Sequence, residues 1–139
     1  MTRVVIDANV LASAAAGHPD SPSRRLIAAL TTRRVQAILC ERTLAELART
    51  LERPYLSRRV TPAECRRFDL TLRLVCEMLP DPSEPPRGLR DPKDDYLVAL
   101  AIGSRAEAIV TGDRDLLDHD GLEPPAISPR VACDRFGLT

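Results

Sequence analysis

Short apolar runs alternate with helical patterns along this chain, and the alternation constrains its fold more than any other feature. Runs typical of buried strands occupy residues 2–6, 35–40 and 108–111, and a last short strand is predicted within residues 124–128. Strands that are buried on both faces are nearly continuously apolar, whereas strands with one wet face alternate. Strands that alternate with helices predict a parallel sheet with helices on both of its faces.

The segments between these runs have the apolar periodicity of helices. The predicted helical segments are residues 8–16, 21–32, 42–53, 62–79, 92–104, 113–119 and 129–136. Ser21, Thr61 and Asp91 each precede a proline, which is typical of a helix start. Two helices follow each other within residues 41–79 without a clear strand between them. The chain has 139 residues and no internal repeat, so residues 1–139 are expected to form one domain.

Charge is divided unevenly along a chain whose formal net charge is zero. Residues 21–76 carry twelve Arg and five acids, whereas residues 81–120 carry ten acids and five bases. A basic surface beside an acidic site suits a metal-dependent nuclease, because Arg binds backbone phosphates and carboxylates bind metal ions. The alternative is that these charges lie on ordinary solvated helix faces.

Several classes of protein and site are disfavoured by what the sequence lacks. No apolar run approaches the ~20 residues that span a bilayer, and the first residues read as a strand rather than a secretion signal. We therefore expect a cytoplasmic protein without a membrane partner. The four cysteines form no Cys-x-x-Cys pair, and the two histidines have no metal-ligand spacing to them. Buried free thiols are expected, and a zinc site is not favoured.

Four acids occupy positions where carboxylates are uncommon. Asp7 and Asp113 each follow an apolar run, Glu46 lies inside a Leu/Ala helical pattern, and Asp95 opens a nearly all-apolar helix. Acids at the carboxyl ends of parallel strands and at the starts of buried helices converge on one crevice of an open α/β sheet. Because such carboxylates repel each other, a hard divalent cation between them, Mg²⁺ or Mn²⁺, is the natural expectation.

Simpler roles exist for two of these acids. Asp7 can accept backbone N–H bonds as the cap of the helix that follows it. Asn9 and Ser13 come next, on what should be one face of that helix. Glu46 lies between Leu44 and Leu47, and a glutamate on the shoulder of a helix is usually exposed to solvent.

Two acidic clusters leave the choice of site residue open. Asp91, Asp94 and Asp95 crowd the start of one helix, where their charge suits the helix dipole. Asp91 is the best cap because a proline follows it, but periodicity alone does not separate Asp94 from Asp95. In the second cluster, Asp113 is nearest the end of the strand. Asp115 is expected either to orient Asp113 or to cap the turn.

Four segments, in this order, resemble the PIN domain family. They are VVIDANVLASA, RTLAELARTLERP, RDPKDDYLVALA and AIVTGDRDLL, and together they extend over nearly the whole chain. The resemblance is closest to stand-alone bacterial PIN proteins regarded as toxins of type II toxin–antitoxin pairs. It implies a three-layer α/β/α sandwich with a central, mainly parallel sheet, and a ribonuclease that depends on Mg²⁺ or Mn²⁺.

The resemblance also implies roles for particular residues and partners. The family's acidic quartet, catalytic and metal-binding, falls on Asp7, Glu46, Asp95 and Asp113. In the family pattern the third acid immediately precedes the apolar helix, which favours Asp95 over Asp94, and many relatives have Asn at the fourth position. Asn9, Ser13 and Thr111 match polar positions that support the site in the family. Apart from the resemblance, Asp94 and Asp115 are expected to support the site as caps or as residues that orient its acids. The implied partners are an RNA substrate, a small antitoxin protein and a second copy of the chain.

Two other functions compete with this interpretation. A phosphatase resembling the haloacid-dehalogenase group would use Asp7 as its nucleophile, but that group wants an Asp two residues later, where this chain has Asn9. It would also leave Glu46 without a role. A non-catalytic binding module on the same fold would be expected to have lost acids of the quartet, and all four are present.

Overall fold

The computed structural model describes residues 1–83 and 92–138, with the side chains of residues 92–95 excepted. The described part contains five strands and eight helices. In chain order they are β1 (Thr2–Ile6), α1 (Ala8–Ala16), α2 (Pro22–Thr31), β2 (Val35–Leu39), α3 (Glu41–Leu51), α4 (Pro54–Ser57), α5 (Pro62–Val75), β3 (Glu77–Met78), α6 (Pro92–Ser104), β4 (Ala108–Val110), α7 (Arg114–Leu117), β5 (Ala126–Ile127) and α8 (Pro129–Phe136).

The strands form one sheet in the order β3-β2-β1-β4-β5, and every described pair is parallel. The chain adds β2 and β3 on one side of β1, then returns through α6 to add β4 and β5 on the other side. The order therefore reverses between β1 and β4, where Ile6 is the partner of Val110. In an open α/β sheet, such a reversal leaves a crevice outside the carboxyl ends of the two strands.

Both faces of the sheet are covered by helices. Val4 and Ile6 of β1 belong to a core shared with α1, α2, α3, α5 and α8. Val5, which points to the opposite face, belongs to a second core with α6 and α7. All three valine and isoleucine side chains are fully buried, which explains why β1 ends in an uninterrupted apolar run. The predicted three-layer α/β/α sandwich with a parallel sheet is confirmed.

Helix starts follow the capping signals in the sequence. The side chain of Ser21 caps α2, and Thr61 and Glu64 form a reciprocal capping box at α5. The predicted cap Asp91 lies outside the described residues. Ser128 caps α8 by accepting a hydrogen bond from the backbone N–H of Val131 at 3.1 Å. Among the helices in the described residues, none combines the length and apolar character needed to cross a bilayer.

Three predicted elements differ from the structure. The helix predicted over 62–79 ends at Val75, and β3 follows it beside β2. The sequence concealed β3 because a two-residue strand cannot show an alternating pattern. The helix predicted over 42–53 corresponds to α3, which ends at Leu51, and the short helix α4, which begins at Pro54, was not predicted. The helix predicted over 113–119 shortens to α7.

The cysteines are free thiols, as the sequence predicted. Cys40, Cys76 and Cys133 are buried, and Cys65 is partly exposed. Burial raises the pKa of the Cys76 thiol to about 12, so this side chain remains protonated at neutral pH. Cys76 therefore acts as a small apolar core residue rather than as a nucleophile.

Candidate active site

A cavity of about 530 Å³ opens at the carboxyl ends of β1 and β4. It lies where the strand order reverses, as expected for an open α/β sheet. Its lining combines acidic and basic side chains. The charged residues that line it are Asp7, Arg42, Glu46, Arg49, Arg53 and Asp113. Three of the four acids singled out from the sequence thus share one cavity with three arginines.

Asp7 is held in place by groups at the end of β4 and at the start of α1. Its backbone N–H donates to the carbonyl of Val110 at 2.9 Å, which continues the pairing of β1 with β4. Its Oδ2 accepts a hydrogen bond from the hydroxyl of Thr111 at 2.8 Å, and its Oδ1 accepts from the backbone N–H of Asn9 at 3.5 Å. Asp7 is only 5% exposed. It therefore caps α1 and lines the cavity at the same time.

The pKa of Asp7 is raised above its ordinary value. Burial is the largest cause, because it disfavours the charged carboxylate. The hydrogen bonds from Thr111 and Asn9 favour the charged form but do not cancel this effect, and the charges of Glu46 and Asp113 add to the rise. Asp7 thus carries its negative charge at a cost in free energy, which a nearby cation would offset.

Thr111 connects Asp7 to Asp113. It follows β4 directly and is fully buried. Its hydroxyl donates to Asp7 and accepts a hydrogen bond from the backbone N–H of Asp113 at 3.0 Å. Asp113 in turn caps α7, since its Oδ1 accepts from the backbone N–H of Asp115 at 2.8 Å. The sequence left open whether Asp115 caps this turn, and the cap is Asp113.

Glu46 reaches the cavity from α3 and is fixed by two side chains. Its Oε2 accepts a hydrogen bond from the hydroxyl of Tyr96 at 3.0 Å, and its Oε1 lies 3.6 Å from Nε of Arg42. The Arg42 guanidinium also lies over the Tyr96 ring, 4.3 Å from its centre. Tyr96 is buried, and burial is the largest cause that raises its pKa, so it stays protonated and donates to Glu46.

Sequence reasoning missed Tyr96. One signal was available, because a tyrosine stands in an otherwise aliphatic stretch, DYLVALAI, and a buried tyrosine hydroxyl usually finds a polar partner. The partner of this hydroxyl could not be predicted from the sequence, because Glu46 lies fifty positions earlier in the chain.

The remaining predicted residues differ in their relation to the cavity. Asn9 lines the cavity, whereas Ser13 is exposed on α1 and is not among the described residues that line it. Asp94 and Asp95 lie in the first turn of α6, and their side chains are outside the described part of the structure. The preference for Asp95 over Asp94 therefore stays a prediction.

The donor chemistry of the cavity fits a hard divalent cation. Asp7, Glu46 and Asp113 offer carboxylate oxygens, which Mg²⁺ and Mn²⁺ prefer, and the charges of the last two raise the pKa of the first. Among the described side chains, however, no three acids, cysteines or histidines are close enough to form a complete metal site. An ion would have to draw these carboxylates closer or use a further ligand from the start of α6.

Thr111→Val should show how much the buried hydroxyl contributes. The change preserves the shape of the side chain but removes the donor to Asp7 and the acceptor for the Asp113 N–H. We expect the free energy of unfolding to fall by about 1–3 kcal/mol in urea titrations. Thr71→Val is the matched control, because Thr71 is exposed on α5 and donates to the carbonyl of Arg67. Equal losses in both variants would contradict a special role for Thr111.

The fold and the cavity define an open, doubly wound α/β protein with an acidic site where its strand order reverses. A family model for the PIN domain matches residues 3–115, and the chain belongs to the PIN domain family. PIN domains are generally nucleases and typically use divalent metals.

A solved structure shares the fold. The crystal structure of PAE2754 from Pyrobaculum aerophilum is similar with a TM-score of 0.63 and 19% sequence identity. The similarity covers 99% of this chain and 91% of that chain. A comparison with curated proteins finds no match.

Proposed function

We propose that this protein is a metal-dependent endoribonuclease that hydrolyses RNA phosphodiester bonds. The observation that carries the proposal is the shared cavity, in which three carboxylates from separate elements face three arginines. Carboxylates alone would repel a phosphate, and arginines alone would bind it without chemistry. Their combination suits a phosphate-cleaving site that also binds the strand.

In this proposal Asp7, Glu46, Asp95 and Asp113 hold Mg²⁺ or Mn²⁺. When bound, the ion supplies a positive charge that stabilises the phosphate as it reacts and makes water a better nucleophile. The supporting residues keep the carboxylates in position. Thr111 holds Asp7 through its hydroxyl, and Tyr96 and Arg42 hold Glu46.

The assay that tests the function uses purified protein and labelled single-stranded RNA. We expect cleavage in Mg²⁺ or Mn²⁺, none after addition of EDTA, and recovery when metal is restored in excess. The same label on single-stranded DNA measures the preference for RNA. A protein that binds RNA but cleaves it with neither metal would be a non-catalytic PIN-fold module, and the proposal would be wrong.

We propose further that the protein is the toxin of a type II toxin–antitoxin pair and forms a homodimer. The toxin role is supported by the resemblance of its four motif segments to stand-alone bacterial PIN proteins. The direct test asks whether a small protein encoded by the adjacent reading frame binds this chain and blocks RNA cleavage. Sedimentation analysis of this chain, alone and with the small protein, tests whether it forms a dimer.

A further inference from the structure

Helix α3 has two faces of opposite character. Leu44, Leu47 and Leu51 are buried in the core. On the other side, polar side chains recur at helical spacing and face the cavity. These residues are Arg42, Glu46, Arg49 and Thr50, and Arg53 continues the series just after the helix. The basic members of this series are separated by seven and four positions, so they follow one line along the cavity.

The three arginines differ in how they are engaged. Arg42 is occupied by Glu46 and by the ring of Tyr96. Arg49 and Arg53 are both exposed, and among the described residues no carboxylate forms an ion pair with either of them. Both therefore have guanidinium groups that are available to a ligand.

In the described part of the structure, the other acid at the start of α3 does not neutralise this pair of arginines. Glu41, at the start of α3, turns instead to Arg73 of α5, with two oxygen–nitrogen contacts of 2.6 and 2.9 Å. Arg73 also binds Asp69 on its own helix. That arrangement keeps one acid of α3 on the far side of the helix. Among the described residues that line the cavity, those beyond Glu46 on α3 and just after it carry two positive charges, from Arg49 and Arg53.

We infer that Arg49 and Arg53 bind successive backbone phosphates of the RNA strand on one side of the scissile bond. The inference rests on the proposed ribonuclease function. The strand would leave the acidic cavity along α3 toward α4. At a helical rise of 1.5 Å per residue, the four positions from Arg49 to Arg53 correspond to about 6 Å. That length is within the Debye length of about 8 Å at physiological salt, so the two arginines act together on one short stretch of the backbone.

Contacts from Arg49 and Arg53 would position the RNA strand without reading its base sequence. Guanidinium groups bind phosphate oxygens in a planar, bidentate geometry, so they position a strand firmly. They carry no information about base sequence. Each phosphate that is neutralised on a single strand changes the slope of log affinity against log salt by about 0.7. Loss of both arginines should therefore make this negative slope shallower by about 1.4.

The test is a binding titration that does not depend on cleavage. An Asp7→Asn background with Mg²⁺ is expected to cleave too slowly to affect the titration, and the probe is a fluorescein-labelled oligouridylate of about twelve nucleotides. Arg49→Ala/Arg53→Ala should bind it about tenfold more weakly, with the lower salt slope. The matched control is Arg130→Ala/Arg135→Ala. It removes the same charge from exposed positions on α8, outside the cavity lining, and should bind like the background protein.

The outcomes separate the two proposals. If both double variants lose equal affinity and slope while the parent still cleaves RNA, the path along α3 is wrong and the nuclease stands. If the parent neither binds nor cleaves RNA, both proposals are wrong. Circular dichroism checks that each variant is folded. Arg49→Gln/Arg53→Gln, which keeps length and polarity, replaces the alanine pair if that pair unfolds, and is judged by the same affinity and slope.

Discussion

Asp7→Asn is expected to lower the rate of RNA cleavage by about a thousandfold without loss of the fold. Asp7 is the most buried of the described carboxylates in the cavity, and it lies where β1 and β4 meet. Metal ions contribute several kcal/mol to the stabilisation of the reacting phosphate, and each 1.36 kcal/mol is a factor of ten in rate. Asparagine keeps the size of the side chain and an acceptor for Thr111, but it removes the charge that the proposed mechanism assigns to metal binding.

The control for this variant is Asp118→Asn. Asp118 is an exposed acid after α7, and its distance of 4.0 Å from Arg114 marks a weak surface pair. The rate of this variant should equal that of the parent. Comparison of the two variants also reveals contamination, because a contaminating ribonuclease would give equal activity in every preparation. Unchanged cleavage by Asp7→Asn would remove Asp7 from the proposed mechanism.

The second large effect is the change in folding stability caused by Asp7→Asn. Its sign depends on whether Mn²⁺ is present. In EDTA at neutral pH, Asp7→Asn should be more stable than the parent, because it removes a buried charge that Glu46 and Asp113 repel. With Mn²⁺ at a hundred times its dissociation constant, the parent should gain about 2.7 kcal/mol. For a chain of this length that corresponds to roughly 10 °C in Tm. The variant should gain little, so the order of stability reverses.

The advantage of Asp7→Asn in EDTA should also depend on pH. Because the pKa of Asp7 is raised on folding, the folded parent binds a proton there more tightly than the unfolded chain does. Stability of the parent therefore falls as pH rises from the ordinary value of 3.8 through the raised folded value. The stability difference that favours Asp7→Asn is largest at pH values above that interval and disappears below it. Urea midpoints across this pH range measure it, and an equal Mn²⁺ shift in both proteins would contradict the metal role of Asp7.

Much of the fold was predictable because its central strands are buried on both faces. The predominantly apolar sequences of β1, β2 and β4 are a direct result of helices on either side of the sheet. Helix starts at Pro22 and Pro62 were predictable because capping is a local interaction. The short edge strand β3 was not, because two half-buried residues show no periodicity and depend on β2 for their pairing.

The candidate site, like the fold, was only partly predictable from the sequence. Asp7 and Asp113 could be selected from sequence because each follows a strand, and parallel strands end at a common edge. Their assignment as metal ligands stays a prediction. The contacts of Glu46 depend on two helices that cover opposite faces of the sheet, α3 and α6. Neither the hydrogen bond from Tyr96 nor the position of Arg42 over its ring follows from local spacing.

By itself, the sequence determined a parallel α/β architecture, the acids that follow its strands and the basic character of its middle segment. These features are local or periodic, so they can be read along a single chain. Only the tertiary structure decided that Thr111 bonds both to Asp7 and to the backbone of Asp113, and that Arg49 and Arg53 share the cavity of the acids. The physical reason is that burial and charge interactions depend on distances between segments, and those distances exist only once the sheet has formed.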